Sequence, residues 1–166
     1  MIILGIDPGL QVTGYAVVEV SPRGPVVGEA GIIRTSDNRS ASSNMAQRLC
    51  SLYDGLVEVL DQFHPDAVAV EQLYAHYQHP RTAILMGHAR GVICLAAAQA
   101  GIPVVHYAST QVKRILTGAG RADKLQMQKA IQRELRLPQL PEPPDVADAL
   151  AVALCHCYLK DKPGGK

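Results

Sequence analysis

Apolar positions along the chain change period several times, and each change marks an element. Ile2 to Ile6 is a short, almost unbroken apolar run stopped by Asp7-Pro8-Gly9, the pattern of a buried strand ending in a turn. Val12 to Val20 and Val26 to Thr35 are rich in β-branched residues and are joined by Ser21 to Pro25, a hairpin connection that makes three antiparallel strands in all. After a polar stretch from Ser36 to Ser43, the apolar positions become Met45, Leu49, Leu52, Leu56, Leu60 and Phe63, three or four apart, so an amphipathic helix follows. His64-Pro65-Asp66 breaks it, and Ala67 to Val70 reads as a second buried strand. Pro80 opens a helix that runs to about Gly101, and Pro103 to His106 is a last short strand. Helices are expected over Thr110 to Leu116, over Asp123 to Leu135, and, after the proline-rich link Pro138 to Pro144, from near Asp145 to about Leu159.

Three strands followed by helix, strand, helix, strand and helices predict an α/β fold with a mixed sheet carrying helices on its faces. A chain of 166 residues makes one ordinary domain, taken here as residues 1–160 with 161–166 as a disordered tail. The helix after Pro80 departs from the amphipathic rule. Ile84, Leu85, Met86, Val92, Ile93 and Leu95 distribute around its whole circumference, so something must cover its outer side. A two-fold dimer would do so, and so would the long C-terminal helix of the same chain.

Composition narrows the class. With 48% hydrophobic and 19% charged residues the chain can bury a core. No apolar run is long and clean enough to span a bilayer, and Asp7-Pro8-Gly9 follows the first apolar run at once, with no basic leader, so a cytoplasmic protein without a membrane partner is expected. Cys155 and Cys157 flank His156 too tightly for a zinc knuckle; all four cysteines are read as reduced and mostly buried. The net charge of +1 is uninformative, but residues 111–136 hold seven cations against Asp123 and Glu134. Such a run is usually a solvated helix face and only weakly points to a phosphate-binding surface.

The acidic residues are more telling. Asp7 and Glu71 each follow a buried strand, and Asp145 and Asp148 lie at i and i+3 on one face of the final helix, roughly 5 to 6 Å apart at Cβ. Each has an ordinary explanation: a turn for Asp7, a strand end for Glu71, a helix cap for Asp145 and dipole compensation for Asp148. If the first and fourth strands are neighbours, however, and the last helix packs beside them, all four can converge. Clustered carboxylates must protonate or bind a cation, and hard oxygen donors suit Mg²⁺ or Mn²⁺, with room for two ions.

Five blocks then resemble one family in order along nearly the whole chain. They are Gly5-Ile6-Asp7-Pro8-Gly9 with Thr13-Gly14, Glu71-Gln72-Leu73-Tyr74, Gly87-His88-Ala89-Arg90-Gly91, Gln111-Val112-Lys113, and Asp145 to Ala151. The chain is similar to the RuvC family of bacterial Holliday junction resolvases. That resemblance implies an RNase H-like fold with a five-stranded mixed sheet, a homodimer, and metal-dependent nicking of two opposed strands at a four-way DNA junction. It implies Asp7, Glu71, Asp145 and Asp148 as catalytic acids and metal ligands, Lys113 and Lys124 near the scissile phosphate, and Tyr74 and Arg81 at the junction. RuvA and RuvB are implied as partners. Tyr74 reads equally well as a core tyrosine, and His76 and His79 as backbone contacts or as nothing.

Three other readings compete. A related nuclease acting on RNA or an RNA-DNA hybrid would use the same acids. An actin-like kinase would need a second domain and a further glycine-rich phosphate loop, for which there is no room. A non-catalytic junction binder would gain nothing from four negative charges beside its phosphate site.

Overall fold

The computed structural model describes residues 1–35, 44–72 and 80–160. In chain order the elements are β1 (Ile2–Asp7), β2 (Val12–Ser21), β3 (Gly24–Arg34), α1 (Met45–Phe63), β4 (Ala67–Glu71), α2 (Pro80–Gln99), β5 (Val104–Tyr107), α3 (Ser109–Thr117), α4 (Lys124–Glu134) and α5 (Pro144–Leu159). The strands form one five-stranded sheet in the order β3-β2-β1-β4-β5. β1, β2 and β3 pair antiparallel, while β4 and β5 run parallel to β1. The expected mixed sheet is therefore present, with the first and fourth strands as neighbours. The predicted tail 161–166 lies outside the described residues.

Side chains alternate across a strand, and this period of two sorts the core into two layers. Ile3, Ala16, Val18 and Ala69 pack against α3, α4 and α5 on one face. Leu4, Ile6, Val17, Val68 and Val70 pack against α1 and α2 on the other. Asp7 and Glu71, two residues beyond Gly5 and Ala69 on their strands, fall on the α5 face. The buried strand patterns thus decide where the two strand-end carboxylates emerge.

α5 lies directly against the sheet because glycine opens the way. A Cβ built on Gly5 would stand 2.1 Å from the Ala149 carbonyl oxygen, and one on Gly14 would stand 2.0 Å from that of Asp145. Both distances are far inside van der Waals contact, so only glycine admits the helix backbone at these positions.

α1 and α2 share the opposite face but differ in kind. Asn44 caps α1, accepting from the Gln47 amide at 3.0 Å while its own amide donates to Gln47 Oε1 at 3.1 Å. His64, at φ 44°, closes the helix. α2 buries Ala89, Ile93, Ala96 and Ala97 but leaves Ile84 61% and Leu95 52% exposed. A Cβ on Gly87 or Gly91 would meet nothing within 4 Å. Coverage of α2 by the C-terminal helix of the same chain is ruled out, because α5 packs on the other face of the sheet. The expectation of mostly buried cysteines holds for Cys155 and Cys157, whereas Cys94 is half-buried and Cys50, on the polar side of α1, is exposed; all four are free thiols.

Candidate active site

The site begins with the turn that ends β1. Thr13 is fully buried, and its hydroxyl donates to the Gly9 carbonyl at 2.6 Å while lying 3.3 Å from the Gly9 amide, which donates back to it. This pair closes Asp7-Pro8-Gly9 over the start of β2. In the β1–β2 register Asp7 stands opposite Gly14. The missing side chain at Gly14 is what lets the Asp145 backbone settle there, so the glycine brings the first turn of α5 beside Asp7. α5 starts from Pro143, which makes no side-chain cap, with Pro144 as its first residue. Asp145 is therefore not the cap that the sequence suggested; it sits within the first turn.

Asp7, Glu71 and Asp148 line one pocket of about 270 Å³ together with Ser109, Val112, Lys113, Asp123, Lys124, Met127 and Ala151. Asp145 is not in its wall, but its charge acts on both Asp7 and Asp148. The Asp7 carboxyl is pushed up to about 7, first by burial and then by Asp148, Asp145 and Glu71, against a smaller opposing pull from Lys124. Glu71 is raised by burial and by Asp148, while a hydrogen bond from Ser109 and the charge of Lys113 favour its anion. Burial also raises Asp148, which Lys124 and Lys113 partly relieve and Asp145 reinforces. Three separate segments thus bring four carboxylates into one electrostatic unit, with both lysines of the basic segment interleaved.

In Asp7, Glu71 and Asp148 burial, reinforced by neighbouring carboxylates, works against ionisation, which is the condition a divalent cation relieves. The donors are all hard oxygens, so the set fits Mg²⁺ or Mn²⁺ in chemistry. Among the described residues no three His, Cys, Asp or Glu side chains already surround a common point closely enough to ligate one ion. Asp7, Glu71 and Asp148 share a pocket, with the charge of Asp145 acting from beside it.

The remaining predicted contacts divide. Lys113 and Lys124 are in the pocket wall. Arg81 lies exposed in the first turn of α2, outside that wall. Tyr74, His76 and His79 lie outside the described residues. Sequence reasoning missed Ser109, whose only signal was its place at the start of the helix after β5, and Asp123, which it took only as a helix start. Asp123 does cap α4, accepting from the Gln126 amide at 2.8 Å, and also faces the pocket.

The chain is similar to known proteins over nearly its whole length. The family model described as "Crossover junction endodeoxyribonuclease RuvC" matches residues 3–156. A protein of that name from Rhodopirellula baltica is 53% identical over 163 residues, covering 97% of this chain and 88% of the relative. Another from Pelotomaculum thermopropionicum is 45% identical over 158 residues, covering 95% and 93%. Among solved structures, the Thermus thermophilus RuvC in complex with Holliday junction substrate superposes with a TM-score of 0.85 at 33% identity, over 96% of this chain and 94% of that one. The yeast mitochondrial Holliday junction resolvase Ydc2, at 11% identity and a TM-score of 0.62, shares the fold.

Proposed function

This chain belongs to the RuvC family of crossover junction endodeoxyribonucleases, and from that premise we propose that it resolves four-way (Holliday) DNA junctions by paired, symmetric nicks, with Asp7, Glu71, Asp145 and Asp148 as its catalytic acids. One observation carries the reading: acids from β1, β4 and α5 meet on one face of the sheet in a pocket that also holds two lysines. An acid cluster alone would repel a phosphodiester, whereas the same cluster holding divalent cations attracts one.

The acids are the residues that would hold Mg²⁺ or Mn²⁺, two ions per pocket. When bound, such ions supply an activated water and charge stabilisation at the leaving oxygen. The protein's own groups do the rest. Lys113 and Lys124 neutralise the backbone phosphates flanking the scissile one, which orients the strand across the pocket. Ser109 holds the Glu71 carboxylate by a hydrogen bond. Val112, Met127 and Ala151 are the apolar residues of the pocket wall. Tyr74 and Arg81 are assigned to the crossover.

A four-way junction offers two equivalent strands, and a two-fold homodimer would present one pocket to each. The apolar outer side of α2, with open space over Gly87 and Gly91, is the surface such a dimer would bury. RuvA and RuvB are the partners this reading implies, and the cytoplasm the compartment; among the described residues no helix is long and apolar enough to cross a membrane. RNA or a hybrid duplex as substrate is set aside, because the family is named for cutting DNA.

The test is a synthetic mobile junction incubated with Mg²⁺ or Mn²⁺, with nicks mapped on all four strands. Wild type is expected to make paired nicks on opposed strands. Asp7→Asn should lose cleavage by about 10³-fold or more while binding the junction undiminished, since it removes an ion ligand and leaves the basic surface intact. Near-full nicking by that variant refutes the assignment.

A further inference from the structure

A cation on the opposite face of the sheet is fastened to the backbone that carries Glu71. Arg90, on α2, donates from Nη1 to the Glu71 carbonyl oxygen and from Nη2 to Nδ1 of His106 at 3.0 Å. His106 pairs with Val70 in the β4–β5 register, so one guanidinium joins α2 to the last rungs of two strands. Because Arg90 can only donate, His106 Nδ1 is the acceptor and the ring is neutral. Burial and the charge of Arg90 both lower its pKa, in keeping with that role.

The sheet shows why such a donor is needed. Val68 donates its amide to the Pro103 carbonyl at 2.9 Å and Gln72 donates to Tyr107 at 2.7 Å. Even-numbered residues of β4 therefore turn their backbone groups toward β5, and odd-numbered ones, Glu71 included, turn toward β1. The β1–β4 register runs from Ile3 opposite Ala67 to Ile6 opposite Val70. One further step would set Asp7 opposite Glu71, and the parallel pattern would then call on the amide of residue 8 to donate to the Glu71 carbonyl. Residue 8 is proline and has no N–H. The ladder stops there, between the two strand ends that carry the acids.

We propose that Arg90 is a positioning residue for Glu71: reaching through from the α2 side, its guanidinium supplies the backbone hydrogen bond that Pro8 cannot give and fixes the strand end that aims the Glu71 carboxylate into the pocket. Arg90 touches neither the pocket nor the acids' side chains, and it acts on the site only through the β4 backbone. The inference rests on the assignment of Glu71 as a catalytic acid.

The experiment uses the full chain as wild type, Arg90→Gln, Arg90→Lys and Glu71→Gln. It measures junction affinity in Ca²⁺, single-turnover cleavage at saturating junction over a range of Mg²⁺ concentrations, and Mn²⁺ binding to the protein alone by calorimetry. Arg90→Gln is expected to keep its junction affinity but lose about 10- to 100-fold in rate, with several-fold weaker Mn²⁺ binding, the scale of effect typical of groups that orient ligands. Arg90→Lys, whose single ammonium cannot span both acceptors, should recover part of the rate. A wild-type rate and Mg²⁺ dependence in Arg90→Gln overturns the proposal, as does a loss of rate matched by an equal loss of junction affinity. If Arg90→Gln does not fold, Arg90→Lys decides alone: a wild-type rate and Mn²⁺ affinity overturn the proposal, and a reduced rate with intact junction binding supports it. Full cleavage by Glu71→Gln overturns the assignment beneath it, a result separate from any effect at Arg90.

Discussion

The two ends of α5 follow opposite rules. From Ala149 to Cys157 every residue is buried, and the one strongly polar side chain, His156, is paired: its Nδ1 and the Tyr107 hydroxyl share a hydrogen bond at 2.8 Å. At the other end Asp145 and Asp148 sit beside two further carboxylates, and burial and like charge both work against ionisation of Asp7 and Asp148. One end is built for stability, and the other holds an arrangement of like charges that a bound divalent cation would relieve. Natural proteins place destabilising groups of this sort at functional sites. The contrast means that substitutions at the packed end should only destabilise, while one at the acid end should stabilise the fold as it removes activity.

The largest effect is expected at Gly5. A methyl there would lie 2.1 Å from the Ala149 carbonyl and 2.8 Å from the Ala153 Cβ, so Gly5→Ala must push α5 off the sheet. Overpacking against backbone, which cannot change rotamer, should destabilise by about 3 kcal/mol or more. Urea unfolding measures it; a loss below about 1 kcal/mol would show that α5 is not seated as tightly as the contacts require.

Next comes Asp7, with the opposite sign. Its carboxyl is pushed from 3.8 to about 7 in the fold. Between those values the native state holds a proton that the unfolded chain has released, so stability falls as pH rises through this window and stays lower above it. Asp7→Asn escapes the penalty. In EDTA at pH 8 the variant should exceed wild type by on the order of 4 kcal/mol at most, given 1.36 kcal/mol per pKa unit. Most of that gap should close at pH 4.5, and Mg²⁺ or Mn²⁺ should narrow it at pH 8 by stabilising wild type alone. A gap independent of pH would mean that Asp7 gains its stability effect from something other than charge.

The same contrast explains what could be read from the sequence. Strand and helix positions follow from periodicity, and they hold: α1 spans Met45–Phe63, β4 is Ala67–Glu71, and the acids stand at the strand ends and in the first turn of the last helix. Periodicity records which side of an element is apolar but not which face of the sheet that side meets. It therefore left open whether α5 or a second chain covers α2. It also could not reveal features that depend on three-dimensional proximity. Gly14 is an ordinary strand residue until Asp145 is found against it. Asp145 looks like a cap until Pro143 is seen in that role, and Arg90 shows no link to Glu71, nineteen positions earlier, until Pro8 leaves a carbonyl without its donor.

The smallest expected effect returns to the packed end. Tyr107 and His156 are 7% and 8% exposed, and their rings meet nearly edge to face with centroids 5.9 Å apart. Burial, followed by the charge of Lys160, lowers the His156 pKa and favours the neutral ring, whose Nδ1 shares a hydrogen bond with the Tyr107 hydroxyl. Tyr107→Phe keeps the ring contact and leaves Nδ1 unpaired, which should destabilise by about 1 to 2 kcal/mol. The Tyr107 carbonyl still accepts from Gln72, and Glu71 still stands opposite residue 107 in register, so the cleavage rate at saturating junction should match wild type. A rate that fell along with stability would show the packed end reaching into the chemistry, and the division of α5 into two independent ends would not stand.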